Sequence, residues 1–298
     1  MDSKQTEDQA KARPFLKWAG GKQSLIKILL EHIPRDIDSY YEPFLGAGSL
    51  FFSMPHDLEK HVSDFNAELI SVYDTIRDDL SSVINELEKL ENTKEKYLEV
   101  RAWDREPNFT KRSAPQRAAR FIFLNKLGFN GLYRLNSSGY YNVPYGKPAN
   151  IDFVSRENLH AVSSFLNARD ESGRLMTTTS AGDYSELVTN LHGPGTFVYF
   201  DPPYHPINAT SSFVSYNENG FTSMDQQNLH DLILQLTQNG VRVLLSNSDT
   251  EFIRDLYDEP CFTHHKIPVR RAIAAKSESR GMITELLIDN YADFVVKS

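Results

Sequence analysis

The 298-residue sequence has no long hydrophobic run, a single cysteine and more acidic than basic residues. No apolar stretch approaches the ~20 residues of a membrane-spanning helix, so we do not expect a membrane protein. Cys261 stands alone, which excludes an internal disulfide framework and is typical of the reducing cytoplasm. Residues 1–13 are polar and charged, so we expect no signal peptide. Nothing in the sequence requires a dimer, and we expect a monomer.

The charge is unevenly distributed along the chain. A net charge of −8 by itself argues against a nucleic-acid partner. Residues 101–147, however, carry nine basic side chains against two acidic ones, and residues 264–281 carry five against one. Basic segments within an acidic chain are typical of a localised contact with a polyanion. Solvated helix faces explain the charge pattern equally well.

The order of the predicted elements indicates an α/β protein with an insertion. Residues 14–66 alternate strand-like and helical patterns, as in the opening of a βαβ unit. The pattern resumes after residue 152 and includes a buried strand over residues 196–200. Between them, helical patterns and a hairpin around Ser137–Gly139 interrupt it. We therefore predict a Rossmann-like, mostly parallel sheet formed by residues 1–66 and 156–298, with an inserted helical and β-hairpin lobe at 67–155.

Local signals mark two helix starts and one long loop. Ser113 to Gln116 and Ser223 to Gln226 both have the spacing of a capping box, and each precedes a helical apolar pattern. Residues 205–222 carry many small polar side chains and few apolar anchors. We expect this loop to be mobile without substrate and to become ordered over it.

The motif Asp201-Pro202-Pro203-Tyr204 directly follows the predicted strand over residues 196–200. Open α/β sheets bind ligands at this end of their strands. An aromatic amine such as that of adenine is a poor nucleophile, and the Asp201 carboxylate and Pro202 carbonyl provide two acceptors for its protons. Tyr204 provides a ring on which an extruded base could stack. A simple Pro-Pro turn explains the prolines but not the flanking residues.

A glycine turn follows the first predicted strand, at Glu42 to Gly48. Its two glycines allow close approach of the backbone to a ligand. The dinucleotide fingerprint fails because Phe51 occupies its third position, and the P-loop fails because Gln23 follows Gly21-Lys22. Asp64, at the end of the next strand, is placed to accept hydrogen bonds from ribose hydroxyls. An ordinary strand-to-helix turn explains the glycines equally well.

Two further segments carry weaker signals. Trp18, two glycines and Lys22 stand just before a predicted helix, which suits a carboxylate at the helix N-terminus and a flat or cationic group against the ring. Asp183 in the segment Ala181–Tyr184 could accept a hydrogen bond from an adenine amino group. Taken singly, a tryptophan is more often part of the core.

In this order, the segments resemble the Dam family of DNA adenine-N6 methyltransferases, from about Phe15 to Tyr291. The resemblance implies S-adenosylmethionine as cofactor, duplex DNA containing GATC as substrate, and Asp201–Tyr204 as the catalytic motif. It makes residues 1–66 and 156–298 the catalytic domain and residues 67–155 the target-recognition domain. It also implies a set of cofactor-binding residues: Trp18, Lys22, Glu42, Phe44, Gly46, Gly48, Asp64, Asp183, Tyr184 and Asp201.

The inserted lobe is similar to the stretch with which GATC-methylating members of the family contact DNA. By that resemblance Arg134 contacts the outer guanine and Lys17 the first guanine. The inner base pairs are contacted by Leu132 and Pro144. Arginine to guanine is the commonest specific base contact. The full set of expected DNA contacts is Lys17, Phe129, Asn130, Leu132, Arg134, Asn136, Pro144, Lys147 and Arg280. Residues 211–216 and 276–281 resemble loops that close over the target strand. Pro148 departs from the family pattern, because some members of the family have a tyrosine at this position.

The same residues also suggest alternative functions. N4-cytosine methylation uses a similar amine chemistry, and a DNA-binding module without catalysis would keep the basic segments. A C5-cytosine enzyme requires a cysteine nucleophile after the early strands, and Cys261 lies far beyond them. A metal site is not expected because the adjacent His264 and His265 lack partners at ligand spacing.

Overall fold

The structure, a computed structural model, describes residues 11–149, 151–207, 221–270 and 282–291. It is a mixed α/β protein with a seven-stranded, mostly parallel sheet, as the sequence predicts. The chain divides into two compact units, residues 1–31 with 45–182 and residues 32–44 with 183–298. Within the described ranges, no helix has both the length and the hydrophobicity to cross a bilayer.

The strands and helices are numbered in chain order. The strands are β1 (Ser39–Glu42), β2 (Glu59–Asp64), β3 (Thr177–Ala181), β4 (Thr196–Phe200), β5 (Arg242–Ser248), β6 (Thr263–Arg270) and β7 (Met282–Asp289). The helices are α1 (Ile26–His32), α2 (Ala67–Glu88), α3 (Lys94–Ala102), α4 (Ala114–Leu127), α5 (Arg156–Leu166), α6 (Tyr184–Val188), α7 (Ser223–Gln238) and α8 (Glu251–Leu256).

Strands of the second unit run in the order β1-β4-β5-β7-β6. The first three are parallel, with Tyr40 opposite Phe197 and Val198 opposite Val243. The hairpin of β6 and β7 adds two antiparallel strands beside β5. In the first unit, β2 and β3 are parallel to each other. Because β1, β4 and β5 are parallel, their carboxyl ends lie at the same edge of the sheet.

In the first unit, helix α2 packs against α4 and α5, and α3 packs against α4. The Asn66 side chain caps α2 by accepting from the Leu69 amide. At the start of α4, Ser113 and Gln116 form a complete capping box, which confirms the predicted helix start. Buried rings of these helices pack on other parts of the same unit: Tyr73 lies against Phe15 and Phe52, and Phe123 lies against Tyr97 and Phe153.

The second unit has its own hydrophobic core, in which α7 packs against the sheet. Leu229, Ile233 and Leu236 recur at helical spacing and are almost completely buried, as the apolar pattern predicts. The cap of α7 differs from the prediction by one residue. Thr222 and Asp225 form the capping box, because the Thr222 hydroxyl is in position to accept the third amide of the helix.

The two compact units do not coincide with the predicted domains. Dense packing joins the lobe at 67–155 to residues 1–31 and 45–66 in one unit. The predicted division is based on the interrupted α/β pattern and on the family resemblance rather than on compactness, and it stays a prediction. The expected closing loops at 211–216 and 276–281, including Arg280, lie outside the described residues, as does most of the expected mobile loop at 205–222.

Candidate active site

Asp201 to Tyr204 leave the sheet directly after β4. Residues Phe197 to Phe200 of this strand are at most 1% exposed, so the predicted buried strand is confirmed. The strand is buried because β1 and β5 flank it and side chains of the core cover it. Asp201 is half-buried and Pro202 is buried. The motif is therefore fixed at a sheltered edge of the sheet, where parallel sheets place their ligands.

Carboxylates and phenols of the second unit gather at this edge. Glu42, the last residue of β1, is 3% exposed, and its Oε2 accepts a 2.6 Å hydrogen bond from the Tyr40 hydroxyl. Burial raises the pKa of Tyr40 well above its usual value, and the negative charges of Glu42 and Asp201 raise it further. Tyr40 therefore remains a hydrogen-bond donor.

The Tyr204 hydroxyl donates to Glu285 Oε2 at 3.0 Å. Glu285 lies on β7 opposite Ser248 of β5, so the strand register brings it to this edge. Burial raises the pKa of Tyr204 strongly, and the charge of Asp201 contributes. The phenol is thus held protonated and fixed at its hydroxyl end. The expected stacking of its ring on an extruded base stays a prediction.

Backbone groups after the motif are tied to the end of β5. The His205 amide donates to Asn247 Oδ1 at 3.1 Å, and the Ser248 hydroxyl donates to the His205 carbonyl at 2.6 Å. Asn247 and Ser248 are buried. Because β5 lies beside β4, these bonds fix the path of the chain as it leaves the motif.

The glycine turn belongs to the first unit. Gly46 has φ +50° and Gly48 has φ +68°, values that favour glycine. A Cβ atom at Gly46 would lie 2.7 Å from Trp18 Cδ1. The Gly46 amide donates to Asp64 Oδ2 and the Asn66 amide to Oδ1, both at 2.9 Å. The sequence-predicted turn and acidic residue are therefore in direct contact.

Burial raises the pKa of the Asp64 carboxyl, although the Asn66 and Gly46 amides act in the opposite direction. The carboxylate has about four lone-pair sites, and these two amides occupy two of them. Further donors would therefore stabilise its charged form. The hydroxyls of a ribose are donors of this kind.

Trp18 lies in a stack of rings in the first unit, with centroids 6.3 Å from Phe121 and 5.8 Å from Tyr133. It is half-buried rather than a full core residue. Lys22 is 5% exposed, and its Nζ donates to the Gly20 carbonyl at 2.8 Å. Lys22 precedes a helix, as the sequence predicts, with one turn between it and the first residue of α1, Ile26.

Asp183 and Tyr184 begin α6 in the second unit. Asp183 Oδ1 accepts from the amide and the hydroxyl of Ser185, so this exposed carboxylate caps the helix. The Tyr184 ring stacks on Phe44 with centroids 5.2 Å apart. Burial raises the pKa of Tyr184 to about 12. The pair presents partly exposed aromatic surface beside the chain that leaves β1.

Asn125 of α4 links the predicted DNA-contacting segments. Its Oδ1 accepts from the Lys17 amide at 2.8 Å, and its Nδ2 donates to the carbonyls of Lys17 and Gly131. A Cβ atom at Gly131 would lie 2.3 Å from Lys17 Cβ. Segments more than 100 positions apart are therefore in contact, and their predicted contact with DNA stays a prediction.

The predicted hairpin is present. Leu135 and Tyr141 form an antiparallel bridge, and the Asn136 side chain accepts from two amides of the turn. Arg134 is exposed, with its Nε donating to Asn142 Oδ1 at 2.7 Å. Leu132 is half-buried, and the other described DNA-contacting candidates are exposed: Lys17, Phe129, Asn130, Arg134, Asn136, Pro144 and Lys147.

Not all positive charge in residues 101–147 faces solvent. Arg120 is 3% exposed and pairs with Asp104 at 2.7 Å. Arg112 pairs with Glu106 at 2.6 Å and lies 4.0 Å above the Trp103 ring. Part of the positive charge of residues 101–147 is therefore balanced within the segment, and a polyanion would be contacted by the exposed basic side chains.

A family model of D12 class N6 adenine-specific DNA methyltransferases matches residues 18–273. The chain belongs to this family. A type II methyltransferase of Lactococcus lactis subsp. cremoris is 41% identical over 283 residues, covering 94% of this chain and 96% of its own. A type II methyltransferase of Methanocaldococcus jannaschii is 37% identical over 298 residues, covering 94% and 99%. The DNA adenine methylase of Escherichia coli K12 is 34% identical over 283 residues, covering 93% and 95%.

Family membership confirms the resemblance and the enzyme class that the sequence predicts. The family acts on adenine in DNA, so N4-cytosine methylation has no support here. The assignments of individual site residues in this methyltransferase stay predictions.

Several residues at the motif were missed by sequence reasoning. Gln226 was interpreted as part of a helix cap, but its side chain reaches Pro203. Asn247 and Ser248 end β5, and Glu285 lies on β7. The polar run Ser246 to Ser248 after the apolar residues of β5 was a usable signal. Nothing local marked Gln226 or Glu285.

Proposed function

We propose that the enzyme transfers the methyl group of S-adenosylmethionine to N6 of the adenine in duplex GATC, after that base has been extruded. The observation that carries the proposal is Asp201–Tyr204 at the carboxyl end of β4, with Tyr204 fixed by Glu285 and His205 fixed by β5. The relatives named DNA adenine methylase and type II methyltransferase support the same activity. We also propose that it acts as a monomer in the cytoplasm.

The chemistry requires acceptors aimed at the amine. The lone pair of adenine N6 is delocalised into the ring, and it becomes nucleophilic as the nitrogen moves toward tetrahedral geometry. The Asp201 carboxylate and the Pro202 carbonyl would hold the two amine protons in that geometry, and the proline rings limit movement of the carbonyl. The Tyr204 ring would stack on the base. Transfer would be direct and in line: the bond from N6 to the methyl group would form as the bond from sulfur to that methyl group breaks, and the nitrogen would release one of its two protons. No covalent link would form between enzyme and base.

The described residues fit S-adenosylmethionine. When bound, this cofactor supplies an electrophilic methyl group. Asp64 would accept from the ribose hydroxyls beside the close-approach turn at Gly46. The buried ammonium of Lys22 and the ring of Trp18 suit the carboxylate and the cationic part of the cofactor. Phe44 and Tyr184 provide aromatic surface for an adenine ring. Glu42, Gly48, Asp183 and Asp201 complete the proposed binding set.

For target recognition, we propose that Arg134 and Lys17 contact the guanines of GATC. Both side chains are exposed, and their backbones are anchored by the hairpin and by Asn125. Phe129 and Asn130 would occupy the space left by the extruded adenine. Phe129 is 51% exposed although it is apolar, which is consistent with insertion into a duplex.

The test measures transfer of labelled methyl from S-adenosylmethionine to two duplexes that differ only in one GATC site, followed by nucleoside analysis. We expect N6-methyladenine only in the GATC duplex. Methyladenine in both duplexes would retain the chemistry and refute the target assignment. No transfer despite cofactor binding would point to another nucleic-acid substrate. Absence of cofactor binding would favour a DNA-binding module without catalysis.

A further inference from the structure

Gln226 is a polar residue in a position that packing alone would fill with an apolar one. It lies in the first turn of α7 and is 1% exposed. Its Nε2 donates to the Pro203 carbonyl at 3.0 Å, inside the motif after β4. Its Oε1 accepts from Asn247 Nδ2 at 3.0 Å. The donor and the acceptor of the Gln226 side-chain amide are therefore both hydrogen-bonded within the second unit.

Asn247 extends this connection to the other side of the motif. It is completely buried, and its Oδ1 accepts from the amides of His205 and Ser248, at 3.1 and 2.8 Å. Pro203 and His205 flank Tyr204 in the chain. The two side-chain amides thus hold the backbone on both sides of Tyr204.

We infer that Gln226 is a positioning residue for methyl transfer, and that it acts with Asn247 by fixing the backbone of Pro203. The inference rests on the proposed catalytic role of Asp201–Tyr204. Proline has no amide hydrogen, so neither Pro202 nor Pro203 can be fixed through a donated backbone bond. A donor to the Pro203 carbonyl replaces that missing restraint. It limits rotation of the peptide group between Pro203 and Tyr204, and so restrains Pro203, whose nitrogen is bonded to the acceptor carbonyl of Pro202.

The size of the effect follows from the geometry of the reaction. A displacement of about 1 Å at a reacting group can lower a rate by about 100-fold. Gln226 touches only the motif and Asn247 among the hydrogen bonds above, and none of the proposed cofactor residues. Its loss is therefore expected to lower the transfer rate and to leave cofactor affinity unchanged.

The experiment compares Gln226→Met with Gln227→Met in the full-length enzyme. Methionine has a similar length and a good helix propensity, and Gln227 is exposed on the same helix, so it is the matched control. Single-turnover transfer to a GATC duplex, the Kd of S-adenosylmethionine and Tm are measured for each. We expect the Gln226 variant to lose about tenfold or more in rate with a cofactor Kd within about twofold. The Gln227 variant should match the wild type.

A second variant separates positioning from folding. Gln226→Glu keeps an acceptor for Asn247 but replaces the donor to Pro203 with an oxygen, so it should be as slow as the methionine variant or slower. A wild-type rate for either Gln226 variant would overturn the inference, as would a rate loss that disappears when each protein is assayed well below its own Tm. Asp201→Ala, assayed in parallel, tests the motif itself. If that variant retains turnover, the proposed function fails, whatever the Gln226 result.

Discussion

Arg120 provides a test of which arginines of residues 101–147 stabilise the fold and which contact DNA. Its guanidinium pairs with Asp104 and also donates to two backbone carbonyls, with Nε to Val100 at 3.1 Å and Nη2 to Arg101 at 3.2 Å. Because these partners bury the side chain almost completely, it cannot reach a phosphate. The substitution Arg120→Met retains much of the aliphatic volume and removes every one of these donors.

The expected loss of folding stability depends on the partners that Asp104 keeps in the Arg120→Met variant. Breaking a buried ion pair by removing one partner costs about 3–5 kcal/mol. Asp104 keeps Arg105 at 2.7 Å and the Tyr141 amide at 2.7 Å, so its charge remains compensated and the lower end of the range applies. The two lost backbone bonds, at about 1 kcal/mol each, account for part of that cost. We expect the free energy of unfolding to decrease by about 3 kcal/mol.

Urea unfolding measures the stability change, and DNA affinity at several salt concentrations measures phosphate contacts. Arg120→Met should leave the slope of log K against log salt unchanged. The exposed Arg134, replaced by methionine, is the control and should change stability by less than about 0.5 kcal/mol while reducing preference for GATC by about 1–3 kcal/mol. Wild-type stability for Arg120→Met, or a shallower salt slope, would refute the structural role of Arg120.

Three further predictions concern the proposed site. Asp201→Ala should abolish methyl transfer and largely preserve cofactor binding. Filter binding measures the cofactor affinity and a transfer assay measures turnover; turnover by this variant would refute the catalytic role of Asp201. Gly46→Ala should lower the free energy of unfolding by about 2 kcal/mol or more, because Gly46 has a positive φ and a Cβ atom there would clash with Trp18. Gly139→Ala, with positive φ but open space, should cost less in the same thermal melts. Protonation of Asp64 removes an acceptor for the cofactor's hydroxyls, so cofactor affinity should weaken as the pH falls through the raised pKa of Asp64. Calorimetry over a pH series measures this affinity, and for Asp64→Asn the affinity should not change over the same pH range.

Much of the local structure could be predicted from the chain alone. The Ser113–Gln116 box, the strand over residues 196–200 and the hairpin at Ser137–Gly139 were all confirmed. Each depends on residues within about four positions of one another, or on the apolar pattern of a single element. The family resemblance added the joint order of several motifs, and the family match confirms it.

The sequence by itself determined the α/β class, the position of Asp201–Tyr204 after a buried strand, and the glycine turn with Asp64, because strand patterns and glycine-dependent turns are encoded locally. Tertiary structure alone decided that Arg120 balances Asp104 rather than facing solvent, and that Gln226 supports Pro203 rather than capping a helix. Such roles depend on burial and on partners that are distant in sequence, as with Tyr204 and Glu285. The identity of a charged or polar residue does not show whether its side chain will contact water or a buried carboxylate. The folded structure determines which of these it contacts.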